Sequence, residues 1–289
     1  MSCRGWRRLI RWTRVIPTAA RKDYPFDAIA HGMIELFTLG SVRLVTGEGS
    51  DSSLGLVQPK RVALLAYLAV ATAEAPVRRN ALLALFWPEL SEDEGQRELR
   101  QALYYLRRVI GEDVFDATGD ELVLHKASLR CDAVVFEQLL RDGRPVEALG
   151  VYQGDFLDDF HVDEVAPGLE EWVRRTRARL RRGASGAAWS ATDAAVSAGQ
   201  TQRAIELARR ACELEPDQEA GWRRLMKLQD ASGDHAGALQ TYVALSDRLA
   251  RELDAKPAPE TSALAERIRT ATASGGGASV SGTAEVAPG

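Results

Sequence analysis

The stretch "SEDEGQRELRQALYYLRRVIG", Ser91 to Gly111, decides how this chain is read. Ser91 stands as an N-cap with Glu94 three residues on, the pair that satisfies the first free N–H groups of a helix, and Gly111 is the natural stop. Between them the apolar residues follow a 3.6 period. With Leu99 at zero on a helical wheel, Ala102, Leu103, Leu106, Val109 and Ile110 fall within about 80° of it and predict the buried stripe. Opposite lie Arg97, Gln101, Tyr104 and Arg108, with Arg100 and Tyr105 on the flanks. The outer face of this helix is therefore predicted to carry a row of arginine, glutamine and tyrosine. Glu98 stands at the rim, about 100° from the stripe's centre.

Working outward, "PKRVALLAYLAVA" (Pro59 to Ala71) opens with Pro59 in the first turn and repeats apolar residues at three and four, which predicts a helix. "RRNALLALFW" predicts a second, short helix stopped by Pro88, and "PELSEDEG" is the loop into the third. Upstream, "IELFTLGSVRLV" (Ile34 to Val45) alternates and is rich in β-formers, a strand pair turning near Gly40; downstream, "VFDATGDELVLH" predicts a hairpin around Thr118, Gly119 and Asp120. Strands, three helices and a hairpin is the order of a winged helix-turn-helix domain of α+β class.

From Cys131 on the patterns are helical, and they repeat. "GRPVEALGVY" at Gly143, "GQTQRAIELA" at Gly199 and "GDHAGALQTY" at Gly233 share a glycine, an alanine five residues later and then Leu or Ile. The last two glycines are 34 residues apart, the tetratricopeptide period, so the glycine is expected to end one helix and the alanine to let the next approach closely. "LEPD" (Leu214 to Asp217) is the expected turn out of the pair. The first gap is 56 residues, so that repeat is either irregular or separated by an inserted helix, "GLEEWVRRTRARLRR". The fold class is thus mainly α: a winged helix-turn-helix domain, residues 33–127, followed by an all-α tetratricopeptide-like helical-repeat domain, residues 131–271.

The flanks differ. Residues 1–32 hold seven Lys/Arg against two Asp, and three readings fit: a targeting peptide, a basic nucleic-acid arm, or upstream sequence preceding a true start at Met33. Arginines at 4, 7, 8, 11 and 14 interrupt any apolar run of the signal-peptide kind. The segment is expected to stand outside the folded domain. Removing its +5 from the chain's −4 leaves −9 for residues 33–289, so a nucleic-acid contact must come from a local patch. Residues 273–289, rich in Gly, Ser and Ala, are expected to form a disordered tail.

Other chemistry is thinly represented. Cys3, Cys131 and Cys212 are single, so a reduced, cytoplasmic chain with buried thiols is expected. No run approaches the ~20 apolar residues of a membrane span. His31, His125, His161 and His235 are far apart and lack metal-type spacing, and the acidic stretch "DFLDDFHVDE" (Asp155, Asp158, Asp159, Asp163 and Glu164 with His161) reads as a solvated loop. No enzyme, no catalytic or metal site and no cofactor is expected.

Arginine pairs bidentately with guanine and glutamine with adenine at major-groove edges, while tyrosine hydroxyls and flanking cations suit phosphates. Solvated helix faces are arginine-rich too, but this helix follows another helix and precedes a hairpin, the position of a recognition helix. At these residues a resemblance becomes explicit. "RQALYYLRRVIG" after "ALLALFWPEL" resembles the DNA-binding domain of Streptomyces antibiotic regulatory protein-type activators, which combine an OmpR/PhoB-type winged helix with a bacterial transcriptional activator domain. "CDAVVFEQLL", "YQGDFLDDF" and "GLEEWVRRTRARL" are similar to motifs of that second domain, and the likeness runs from Met33 to Arg269. Glu98 replaces the family's usual small polar residue, and no GxxxxGK[ST] is present for a nucleotide module. The resemblance implies a DNA-binding transcriptional activator working at the nucleoid. Its duplex DNA would contact Arg97, Arg100, Gln101, Tyr104, Tyr105, Arg107, Arg108 and Lys60, with RNA polymerase as a partner and a homodimer on tandem half-sites. The alternative is a helical-repeat scaffold whose winged-helix domain no longer binds DNA, favoured by Glu98 and the acidic charge.

Overall fold

The helix predicted from Ser91 forms as α3 below, and the elements around it follow from equally local causes. A computed structural model describes residues 34–45, 51–52, 58–125, 128–158 and 166–275. The basic segment 1–32, most of the tail, and Asp159, His161, Asp163 and Glu164 lie outside the described residues. The chain opens with β1 (Ile34–Phe37), β2 (Arg43–Val45) and β3 (Asp51–Ser52), β1 and β2 antiparallel with Glu35 opposite Val45. The turn between them uses Gly40 at φ 94°, open to glycine and strained for other residues.

α1 (Pro59–Ala71) is buried nearly all round from Val62 to Val70, with Pro59 exposed and Lys60, Arg61, Tyr67 and Ala71 half-buried. β4 (Val77–Arg78) leads into α2 (Arg79–Phe86), then α3 (Glu92–Ile110), a 3₁₀ turn over Glu112–Val114, and the hairpin β5 (Phe115–Thr118) and β6 (Glu121–Leu124). β4 pairs with β6, making a three-stranded sheet in the order β4-β6-β5. β7 (Leu129–Cys131) then returns to lie parallel to β1, with Glu35 opposite Arg130. Burial raises the Glu35 carboxyl above its usual range and Arg130 opposes that rise. Neither short strand, β4 or β7, was expected from the sequence.

α4 (Asp132–Arg141) and α5 (Pro145–Val151) form the first helix pair, α6 (Pro167–Ser197) and α7 (Thr201–Leu214) the second, α8 (Glu219–Ala231) and α9 (His235–Leu253) the third, and α10 (Pro259–Gly275) closes the described chain. Among the described residues the molecule is mainly helical, with ten α-helices. The glycines do what their spacing predicts. Gly143, Gly199 and Gly233 have φ of 68°, 70° and 85°. Each donates to the carbonyl three residues back, and the next residue donates to the carbonyl five back, as in Arg144 N to Leu139 O at 2.9 Å. Ala148, Ala204 and Ala238, five residues on, are fully buried where neighbouring helices meet.

One expectation changes. The stretch "GLEEWVRRTRARLRR" is no separate inserted helix but the first half of α6, which runs 31 residues and supplies the second pair's first helix with its other half. Alanines at 184, 187, 188 and 191 carry the helix through Gly183 and Gly186.

A single hydrophobic core extends from Ile34 to Ala184, joining β1, α1, α2, α3, the hairpin, α4 and the start of α6. Trp172 of α6 is half-buried against Tyr67 (4.8 Å between rings) and Phe156 (5.6 Å). Beyond Ala184 smaller clusters follow along the helix pairs. Cys131 and Cys212 are buried, and burial pushes each thiol up to about 12. No helix among the described residues is long and apolar enough to cross a membrane.

Candidate nucleic-acid interface

The face of interest is built by α3. At its start Glu94 accepts hydrogen bonds from the backbone N–H (3.1 Å) and hydroxyl (2.6 Å) of Ser91, which lower its carboxyl below the usual range. Leu99, Ala102, Leu103, Leu106 and Ile110 are buried as the wheel predicts, together with Gly95 against Leu83. Val109 departs from the prediction. It is 39% exposed, because it sits at the edge of the stripe on the Tyr105 side of the helix.

Arg97, Gln101, Tyr104 and Arg108 are all exposed, in a row, with Arg100 and Tyr105 exposed beside them and Arg107 half-buried. Tyr104 is 55% exposed and Tyr105 41%, unusual for two large aromatic groups in sequence; their rings meet edge-on at 5.9 Å. Arg108 lies 6.0 Å from the Tyr104 ring. Arg97 and Arg100 lean back to bond the carbonyls of Asp93 and Gln96 through Nε (3.2 Å each), which leaves their terminal amines facing outward.

Among the described residues none of Arg97, Arg100, Arg107 and Arg108 has a carboxylate within 4 Å, and Glu98, exposed between them, makes no ion pair either. The arginines of α6 behave differently. Arg174 and Arg175 are held by Glu171, Arg179 by Glu137, Arg181 by Asp155, and Arg177 by the carbonyls of Phe156 and Leu157. Two arginine-rich helices thus differ: most arginines of α6 are engaged within the molecule, Arg182 excepted, whereas those of α3 have no carboxylate partner among the described residues.

Lys60 does not join this row. It sits at the start of α1, paired with Glu89 at 3.8 Å and 5.3 Å from the Trp87 ring. Its neighbour does: Arg61 stacks on the Tyr105 ring at 3.9 Å. Nothing in the periodicity of α1 marks Arg61 apart from Lys60, since the stack depends on how α1 and α3 pack.

Charge is segregated along α3. Glu92, Asp93, Glu94 and Glu98 occupy its first two turns, and beyond Glu98 only arginines are charged. Acids in the first turn also suit the positive end of the helix dipole. The hairpin β5–β6 exposes Asp116, Asp120 and Glu121 and offers no Lys or Arg of its own. Among the described residues no group of three His, Cys, Asp or Glu is placed to hold a metal.

Residues 131–269 match the family model of the bacterial transcriptional activator domain. No curated protein matches the chain. Among solved structures, the chain is similar in fold to Mycobacterium tuberculosis EmbR in complex with a low-affinity phosphopeptide. The TM-score is 0.58 at 22% identity, over 82% of this chain and 65% of that one, so this chain spans just under two thirds of that structure. The matched family model covers just under half of the chain, and the likeness to the solved structure is one of fold.

Proposed function

We propose that this protein is a sequence-specific DNA-binding transcriptional regulator, an activator of the Streptomyces antibiotic regulatory protein type. Residues 33–127 act as a winged helix of OmpR/PhoB type, and residues 131–271 act as a tetratricopeptide-like activator domain. The observation that carries the proposal is the set of four α3 arginines left without carboxylate partners beside exposed Gln101 and Tyr104. An external polyanion supplies the missing charge, and the major groove admits a helix of this width.

In this reading Gln101, Arg97 and Arg108 face base edges, while Arg100, Arg107 and the tyrosine hydroxyls hold phosphates. The helix pairs mediate self-association on tandem half-sites about 10–11 bp apart. RNA polymerase meets either those pairs or the loop "PELSEDEG". That loop borders a cleft of about 280 Å³ lined by Leu83, Trp87, Pro88, Leu90, Ser91 and Gly95.

Binding of labelled duplexes selected by the full chain tests the proposal. Arg100→Gln and Arg107→Gln are expected to weaken all sequences alike and to lower the salt slope by about 0.9 for each phosphate that is no longer neutralised. Gln101→Ala is expected to relax base preference at one position at about 1–3 kcal/mol. A chain that selects no sequence and shows no salt-dependent binding instead answers to the scaffold reading.

A further inference from the structure

Arg61 was absent from the expected DNA-binding residues, yet it is the cation that the packing of α1 on α3 brings to the exposed face. It is half-buried, has no carboxylate within 4 Å among the described residues, and its guanidinium carbon stands over the Tyr105 ring, 3.9 Å from the centroid. A stacked guanidinium keeps its five N–H donors in one plane with their edge free, and the stack fixes its rotamer before any ligand arrives. Lys60, one residue earlier, has its charge occupied by Glu89.

The hairpin presents the opposite case. Asp116 is engaged by His125 at 2.8 Å and Glu121 lies 4.0 Å from Arg78, while Arg79, whose backbone N–H bonds the Asp120 carbonyl at 2.9 Å and which has no carboxylate within 4 Å among the described residues, belongs to α2 and not to the hairpin. Asp120, at its turn, is exposed with no ion pair among the described residues. Duplex DNA carries one negative charge per about 1.7 Å of its axis, so an approach along the α1 edge of α3 is attractive and one along the hairpin repulsive.

We propose that Arg61 of α1, platformed by Tyr105, is a further phosphate-contacting residue, and that the acidic β5–β6 hairpin stays off the phosphates, so that the duplex is held by α3 and α1 rather than by α3 and the hairpin. This rests on the DNA-binding reading above and names which parts of the surface the duplex uses.

The test is fluorescence anisotropy of the full chain with a labelled duplex about 30 bp long, long enough for two half-sites, titrated from 0.1 M salt upward. One phosphate contact scales affinity with salt to the power of about −0.9, which amounts to about eightfold between 0.1 M and 1 M. Arg61→Gln is therefore expected to weaken binding about eightfold at 0.1 M, to differ little from the parent near 1 M, and to lower the slope by about 0.9. Arg61→Lys keeps the charge without the flat stack and is expected to restore the slope.

Equal loss of slope in Arg61→Gln and Arg61→Lys assigns Arg61 to packing and overturns the proposal, as does Arg61→Gln binding within about twofold of the parent at an unchanged slope. For the hairpin, Asp120→Asn with Glu121→Gln is expected to bind as tightly as the parent or more tightly; weaker binding overturns that half. A parent chain that binds no duplex in a salt-dependent way defeats the DNA-binding reading itself, an outcome distinct from a parent that binds and an Arg61 variant that binds equally.

Discussion

Asp132 is a carboxylate almost closed off from solvent, 3% exposed, at the start of α4. Its Oδ1 accepts from the Thr38 N–H (2.8 Å), the Thr38 hydroxyl (2.6 Å) and the Ala133 N–H (2.7 Å), and its Oδ2 accepts from the Leu39 N–H (2.9 Å). With the Cys131 thiol, 3.9 Å from Oδ1, five donors converge on one acceptor group. The side chain thus ties the end of β1 to the first helix of the second half, across 93 and 94 residues of sequence. Asp132→Ala leaves three buried N–H groups without partners, and each unsatisfied donor costs about 1–3 kcal/mol before relaxation. The expected net loss is about 3 kcal/mol, read as a lower midpoint in denaturant unfolding. The pH dependence has a definite sign. Burial raises the Asp132 carboxyl above its usual value, and the hydrogen bonds from Thr38, Leu39 and Ala133 offset only part of that rise. With the folded-state value above the unfolded one, its contribution is full below the unfolded value of about 3.9 and is lost as pH rises through the raised value. Asp132→Asn removes this titration, so the stability gap between the parent and that variant is expected to be widest near pH 4 and to narrow toward neutrality. A gap that widens with pH contradicts the assignment.

The described part of the connector that follows α5, residues 152–158, contains no helix or strand of its own, and it holds the two halves in register. Gly40 N–H donates to Asp155 O (2.9 Å) and Leu157 N–H to Thr38 O (2.7 Å), while Leu39 bridges to Phe156. Leu157 is buried at φ 53°, a left-handed conformation that a leucine adopts only when its surroundings impose it; here Arg177 binds the Phe156 carbonyl at 2.6 Å and the Leu157 carbonyl beside it. Gly154 is needed for closeness: a Cβ there would stand 3.0 Å from the Gly40 Cα, backbone against backbone. Gly154→Ala is expected to destabilise by about 1–3 kcal/mol. Gly186→Ala, in α6 with nothing within 4 Å, is expected to stabilise by about 0.5–1 kcal/mol; thermal melting of the pair separates the two effects. The Tyr-x-Gly-x-Phe-Leu pattern could be quoted from the sequence, but its work could not, because its partners Thr38, Leu39 and Gly40 lie more than a hundred residues away. The same distance hid β7, a three-residue strand whose only cause is its parallel pairing with β1. What periodicity and caps encode locally was legible: α1 to α3, the hairpin, the three glycine-ended helices and the exposed row of α3. Val109 was misjudged because it stands at the very edge of the apolar stripe, and the stack of Arg61 on Tyr105 was not legible because it depends on how α1 packs on α3.

For the whole molecule, the core decides what can be separated from what. The cluster that holds α3 in place includes Leu129 and Cys131 of β7, Phe136 of α4, Phe156 of the connector and Leu169 and Leu180 of α6. Cutting the chain after residue 127 removes all of them and strips β1 of its parallel partner and of Asp132. It also uncovers Tyr67 where Trp172 packs and Leu85 where Gly168 approaches. The later helices stack differently, each pair meeting its neighbours through small separate clusters, as a quasi-one-dimensional array does. The division into residues 33–127 and 131–271 is accordingly a proposal about function, and its physical counterpart is one cooperative unit from β1 through the first half of α6, with α8 to α10 appended. The orientation of α3 relative to α4 and the first half of α6 is then set by that shared core. Residues 33–127 alone are expected to show no cooperative melting and no slowly exchanging amides in α1 or α3. A chain ending at residue 218 is expected to retain protection there, with stability lowered because Leu225 no longer packs on Ile205, Ala208 and Cys212. Hydrogen exchange on the three chains checks this: protected α1 and α3 amides in residues 33–127 alone, at the level of the full chain, refute the shared core as the source of α3's rigidity.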